Sequence, residues 1–215
     1  KQRLKWWQWD ATSEFDTWVT EYNLIEPQPY SINNKWIHAL FSSNLINEII
    51  SQTDAKMLHY HSIGSKKFPV FAAIEMMNDK MELSSSGLAT SLWNRLTYQS
   101  YNFKKETTKG EQWKVDFQSK LSCECPNNPK LATNVEIDPL QIYSSQRSGL
   151  KTILVTNLSE ENNTIDLLNY GIKNARVENY FAELKDEKWI NENKNKKGKI
   201  NIPGYSIVYI KEIQE

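Results

Sequence analysis

Cysteine is scarce in this 215-residue chain, which carries only Cys123 and Cys125 in a C-x-C pair. Two thiols cannot complete a four-ligand zinc site, and a bridge from i to i+2 along one strand is strained. They read as two thiols in a β-segment. Charge of one sign is also lacking: Lys plus Arg and Asp plus Glu number 26 each. With no net field, nothing draws the chain globally to nucleic acid or to an anionic membrane. Long apolar runs are missing too, and none approaches the roughly 20 residues that span a bilayer. The chain starts Lys1-Gln2-Arg3, with neither an initiator Met nor an apolar signal segment. Aromatics, by contrast, are plentiful, with 8 Trp and 10 Tyr. The mean hydropathy of −0.65 suits a soluble globular protein with a surface of Asn, Lys and Ser. The length allows one large domain or two small ones.

The first half alternates strand and helix. Residues 17–22 (TWVTEY) are β-branched or aromatic apart from one acid, and Glu26-Pro27-Gln28-Pro29 ends the run, so a short strand is expected. Residues 33–51 place Trp36, Leu40, Ile46, Ile49 and Ile50 near one side of a helix, with Ser31 or Asn33 as its N-cap. His38 in its first turns receives no role. Residues 56–61 (KMLHYH) read as the next strand, ended by Ile63-Gly64-Ser65. The apolar residues 68–76 extend the loop after it or add a short strand. Ser84-Ser85-Ser86 caps a second helix running to about Tyr101, with Leu88, Leu92 and Leu96 in register. Strand, helix, strand, helix with short connections is the repeat of a parallel α/β sheet.

The polar bridge 104–110 (KKETTKG) marks a boundary between residues 1–105 and 106–215. Beyond it, short strands are expected at 113–117, 135–143, 150–157, 163–168, 175–184, 188–190 and 205–210, separated by Asn, Gly and Lys turns. That pattern predicts an antiparallel β-sandwich. The last strand is apolar on both faces, so it belongs in the interior. Lys194, Lys196, Lys197 and Lys199 read as a solvated hairpin loop, because no aromatic platform is interleaved among them. The sequons at Asn157 and Asn162 matter only in a eukaryotic secretory route.

Glu21 holds the chemical interest. A carboxylate near the end of a buried strand is costly to desolvate unless it is paired or used; a solvent-facing acid is the plain alternative. Trp18 and Tyr22 flank it, and the Asn23 amide just beyond can serve a polar ligand. The run W-V-T-E-Y-N resembles the seventh-strand nucleophile motif of clan A glycoside hydrolases, close to the α-L-arabinofuranosidase-like and related retaining families. N-I-P-G-Y-S-I-V-Y-I at 201–210 resembles the closing strand of the β-sandwich that follows many clan A barrels. Ser85-Ser86-Gly87-Leu88-Ala89 is similar to the start of that family's last barrel helix, without its proline.

The resemblance implies a fold and an activity. Residues 1–105 would be strands seven and eight of a (β/α)8 TIM barrel with their helices, and 106–215 its accessory β-sandwich. A motif expected late in a barrel but found at residue 21 implies a C-terminal fragment. The implied enzyme is a retaining glycoside hydrolase that cleaves O-glycosidic bonds of poly- or oligosaccharides, with no cofactor and a secreted or periplasmic location. Glu21 would be the nucleophile. Its partner, the acid/base Glu, lies on the fourth strand of such barrels, which this chain does not contain, so the fragment alone is expected to be inactive. Glu75 is then a rim or structural residue. Tyr22, Asn23 and His61 are the expected substrate-binding residues: His61, on the same side of its strand as His59, can reach a sugar hydroxyl or Glu21. A satisfied core histidine is the alternative there. Tyr60 would point outward to the helices. Trp6, Trp7 and Trp9 either stack on sugar rings or pack beneath the barrel rim. The rival readings are a non-catalytic carbohydrate-binding or structural β-sandwich with a remnant barrel segment, and an unrelated α/β protein.

Overall fold

A strand, a helix and a second strand parallel to the first open the fold. The computed structural model describes residues 18–22, 32, 34–53, 55–61, 63–65, 72–77, 80–106, 112–116 and 134–214. β1 (Trp18–Tyr22) pairs in parallel with β2 (Met57–Tyr60). Between them runs α1 (Trp36–Gln52), the crossover that parallel pairing requires. Three short strands follow: β3 (Gly64–Ser65) is parallel to β4 (Ile74–Met77), which turns back into β5 (Lys80–Leu83). Glu75 lies in β4, opposite Glu82. Next comes α2 (Ser85–Thr97).

The two helices begin differently. Ser84 caps α2 as expected, its Oγ accepting the Gly87 N–H at 3.0 Å. Only glycine fits at 87, because a Cβ there would lie 2.1 Å from the Ala73 carbonyl oxygen. The N-cap of α1 is Lys35 rather than Ser31 or Asn33, and no side chain caps it. Its free N–H groups are met by tertiary structure instead: Trp36 donates to the Asp186 carbonyl at 2.7 Å and Ile37 to that of Leu184 at 3.0 Å.

The rest of the chain builds an antiparallel six-stranded sheet. Its strands are β6 (Tyr101–Lys105), β9 (Leu140–Arg147), β10 (Leu150–Asn157), β12 (Asn174–Phe181), β13 (Ile190–Lys197) and β15 (Ser206–Glu212), in the order β13-β12-β15-β10-β9-β6. β15 is central and buried on both faces, as its sequence led one to expect. β6 precedes the 105/106 boundary, so the sheet draws on residues from both sides of it. β7 (Trp113–Asp116) does not join this sheet but pairs with β8 (Asn134–Ile137). The single strand expected at 135–143 is thus broken in two. Cys123 and Cys125, like Trp6, Trp7 and Trp9, fall outside the described residues.

The six-stranded sheet has a core on each face. On one, Tyr143, Leu154, Tyr180, Ile207 and Tyr209 pack with Trp36, Leu40, Leu92 and Trp93 of the helices. On the other, Ile153, Val155, Val208 and Ile210 pack with Ile165 and Ile200 of a second, two-stranded sheet of β11 (Asn163–Asp166) and β14 (Lys199–Ile202). The protein is therefore layered as helices, large sheet and small sheet.

Polar clasps tie the helices to the sheet. Trp93 Nε1 donates to Ser43 Oγ at 2.8 Å, and that hydroxyl lies 2.6 Å from Thr156 Oγ1. Tyr143 donates to Asn47 Oδ1 at 2.7 Å. Arg95 of α2 grips the Glu178 carboxylate with two bonds of 2.8 and 3.0 Å, and its guanidinium lies 3.9 Å from the centre of the Tyr209 ring. Burial alone would raise the Glu178 pKa, but the hydrogen bonds from Arg95 and Tyr180 overcome it and hold the carboxyl below its usual range.

Acid should loosen this packing. His38 is fully buried, and burial lowers its pKa from 6.5 to about 4. The unfolded chain takes up that proton below pH 6.5 while the native state resists it. Stability is therefore full above pH 6.5 and falls as the pH drops toward 4, by about 3 kcal/mol for this residue alone. The ionised Glu178 contributes stability above the ordinary carboxyl value, which is lost as the pH falls through its lower folded value. Urea unfolding at pH 7 and pH 4 measures the combined effect.

The first sequon is occupied by packing. Asn157 is fully buried, and its Nδ2 donates to the carbonyls of Glu161 at 2.8 Å and Pro203 at 2.9 Å. Asn157→Ala would remove both bonds and the Oδ1 that accepts from Ser159, while Ser206 Oγ still donates to the Pro203 carbonyl at 2.6 Å, and a loss of about 2 kcal/mol is expected in chemical denaturation.

Candidate active site

Strict alternation along β1 would put Glu21 on the same face as Val19, toward the helices. The structure avoids this with a bulge. Val19 pairs with Leu58 and Tyr22 with Tyr60, so Thr20 and Glu21 together stand opposite the single residue His59. The extra residue re-aims the strand. Val19, Tyr22, Leu58 and Tyr60 all reach the helix-side core, while Glu21 is 72% exposed.

Glu21 and His61 come together. The His61 backbone N–H donates to the Tyr22 carbonyl at 3.1 Å, and its Nδ1 lies 3.9 Å from Glu21 Oε1. The pair stands at the C-terminal ends of two adjacent parallel strands. Trp18, Met57 and His59 on these strands, and His61 just past β2, are exposed as well.

Tyr22 is not brought to Glu21. It is 8% exposed, its hydroxyl is 3.5 Å from Thr90 Oγ1 on α2, and its ring meets that of Tyr60 edge-on at 5.5 Å. Burial raises its pKa, and the hydrogen bond with Thr90 offsets part of that rise. A ring held so between strand and helix is a packing element; what turned it inward is the bulge. Tyr60 points to the helices, its hydroxyl 2.6 Å from Ser86 Oγ. Asn23 lies outside the described residues. That Thr90 and Ser86 anchor the two strands through these tyrosines escaped sequence reasoning, which read Ser86 only as part of the helix cap and gave Thr90 no role.

Among the described residues, no group of three or more His, Cys, Asp or Glu could hold a metal ion. No helix among them is long and apolar enough to cross a membrane.

Comparison with solved structures concerns the fold. The catalytic domain of a GH30 xylanase C from Talaromyces cellulolyticus matches 95% of the chain with a TM-score of 0.60 at 14% identity. A GH51 α-L-arabinofuranosidase from Thermotoga petrophila RKU-1 matches 92% with a TM-score of 0.58 at 13% identity. The chain has the fold of part of a clan A glycoside hydrolase. It spans 42% of the xylanase domain and 43% of the arabinofuranosidase. A conserved exported protein from Bacteroides fragilis is similar over 92% of the chain, with a TM-score of 0.58 at 13% identity, and the chain covers 39% of it. No protein-family model and no curated protein sequence matches the chain.

Proposed function

We propose that the chain is the C-terminal portion of a retaining glycoside hydrolase, its first segment the last two strands of a (β/α)8 barrel and its sheets the accessory β-sandwich. The observation that carries this is Glu21. It stands at the C-terminal end of a parallel strand, turned away from the helices, in a fold shared with glycosidases. Catalytic groups of (β/α)8 enzymes occupy that end of the strands.

Glu21 attacks the anomeric carbon of an O-glycoside in a poly- or oligosaccharide and forms a glycosyl-enzyme. A second carboxyl, about 5–5.5 Å away, protonates the leaving oxygen and later activates water. That group comes from a strand outside this chain, so the 215-residue chain by itself does not turn over. His61, with its Nδ1 3.9 Å from Glu21 Oε1, stands beside the carboxylate, where its ring can reach a sugar hydroxyl. Asn23, next along from Tyr22, offers its amide to the substrate. An exported location suits action on polysaccharide.

Labelling tests the reading. A 2-fluoro glycoside traps the glycosyl-enzyme of a retaining glycosidase, and in the longer protein it should attach to the peptide spanning residues 18–24. A label on any other peptide removes Glu21 from the mechanism.

A further inference from the structure

The geometry points to a second saccharide-binding site in this chain, a cleft at the β6 edge of the six-stranded sheet, on strands that carry no part of the Glu21 constellation. The cleft has a volume of about 630 Å³. That is within the range of small-molecule sites. β6, β9, β10 and the 3-10 turn Leu167–Tyr170 form its walls.

Two local distortions build it. Tyr101 pairs with Gln146 and Lys104 with Ser144, so β6 holds one residue more than β9 between these pairs. Asn102 takes up this bulge with φ 53°, and its Nδ2 donates to Gln146 Oε1 at 2.7 Å. On the facing wall Gly171 has φ 67°, and a Cβ there would lie 2.5 Å from Lys151 Nζ. Glycine at this point lets the ammonium reach across to the Tyr170 carbonyl at 2.8 Å.

The polar groups left over define the ligand. Lys151 spends one of its three donors on the Tyr170 carbonyl. Glu106 receives Ser144 Oγ and the Lys104 ammonium on Oε1, and among the described residues its Oε2 accepts nothing. The Tyr170 hydroxyl likewise has no hydrogen-bond partner among them. Tyr170 and Glu106 both line the cleft, and burial first, then the charge of Glu106, push this phenol up from its ordinary range. Donors and acceptors thus face one space beside an aromatic ring. Phosphate or sulfate, which only accept, would meet the Glu106 carboxylate. An amine would meet Lys104 and Lys151. A sugar residue, whose hydroxyls both donate and accept and whose C–H face packs on an aromatic ring, satisfies all of them.

The choice of polysaccharide as probe rests on the glycosidase reading; the cleft chemistry does not. The 215-residue chain is run in native gels containing soluble arabinoxylan, arabinan or mixed-linkage β-glucan. Retardation is expected in at least one. Tyr170→Phe, which removes only the hydroxyl, and Lys151→Met should each weaken retention about tenfold. Gly171→Ala should do the same by displacing the ammonium. If Lys151→Met or Gly171→Ala fails to fold, Tyr170→Phe decides. Mobility equal to the gel without polysaccharide in all three gels overturns the proposal, as does retention that Tyr170→Phe leaves unchanged. Turnover and labelling at Glu21 in the longer protein, with retention unchanged by the cleft substitutions, would sink this site and leave the enzyme standing. Retention lost in the cleft variants, with no turnover at Glu21, would do the reverse.

Discussion

Glu21→Gln, placed in the longer protein, is expected to lower turnover by roughly 10⁴–10⁶-fold, the scale on which enzymes lose a nucleophile. The side chain is 72% exposed and no packing depends on its charge, so the thermal midpoint should stay within a few degrees of the wild type. Glutamine keeps the shape and the hydrogen-bonding capacity, but it cannot form the ester linkage of a glycosyl-enzyme. Glu21→Ala should be as slow, yet added azide should restore part of the rate by entering the vacated space. The azide product should have inverted configuration, because only one displacement then occurs. Near-normal turnover in Glu21→Gln would reduce this residue to a strand-end acid.

The second large effect concerns residues 106–215 on their own. The sequence leads one to expect an autonomous sandwich from this stretch, but cutting there removes β6 and strips both helices from the sheet. Tyr143, Leu154, Tyr180, Ile207 and Tyr209 would lose their cover. At about 1.5–3 kcal/mol for each large side chain, the loss is about 8–15 kcal/mol, which rivals the whole stability of a domain. The expected product melts without a sharp calorimetric transition and binds hydrophobic dyes. A fragment running from residue 34 to 215, which keeps α1, α2 and β6, should recover a cooperative transition. A sharp two-state melt for 106–215 would mean that the helix-side core is dispensable.

The legible parts were those where pattern and burial agree. Leu150–Asn157 was readable to the residue, because a β-branched-rich run around Ile153-Leu154-Val155 lies between turn residues, and the closing strand was readable as interior from its continuous apolar run. The Ser84 cap was local chemistry and was read correctly. β13 was not legible: INENKNKK has no alternation, because the strand is an edge with most of its side chains in water. Its extended form comes from pairing with β12, from Asn174 opposite Lys197 to Phe181 opposite Ile190. Of the lysines read as a solvated loop, Lys194, Lys196 and Lys197 sit on β13, whose free edge their charge protects, and Lys199 opens β14.

At the site, Glu21 and His61 were legible as neighbours because both end strands that a βαβ unit makes adjacent. The inward turn of Tyr22 was not. It depends on a bulge set by pairing with β2, and period-two reasoning cannot register a residue counted twice against one partner. The bare start of α1 was illegible for a similar reason, since its partners, Leu184 and Asp186, lie far along the chain.

That distant cap has a consequence for how such proteins can be recombined. The polar run at 104–110 looks like a seam where one sheet module might be exchanged for another. Yet α1 takes its first two hydrogen bonds from the turn between β12 and β13, and Trp36 Nε1 donates to the Tyr205 carbonyl just before β15. A chimera joined at the seam keeps its helix only if the incoming module brings carbonyls to the same three places. The helix pair and its sheet therefore share hydrogen bonds across that seam, and a joint placed there has to rebuild them.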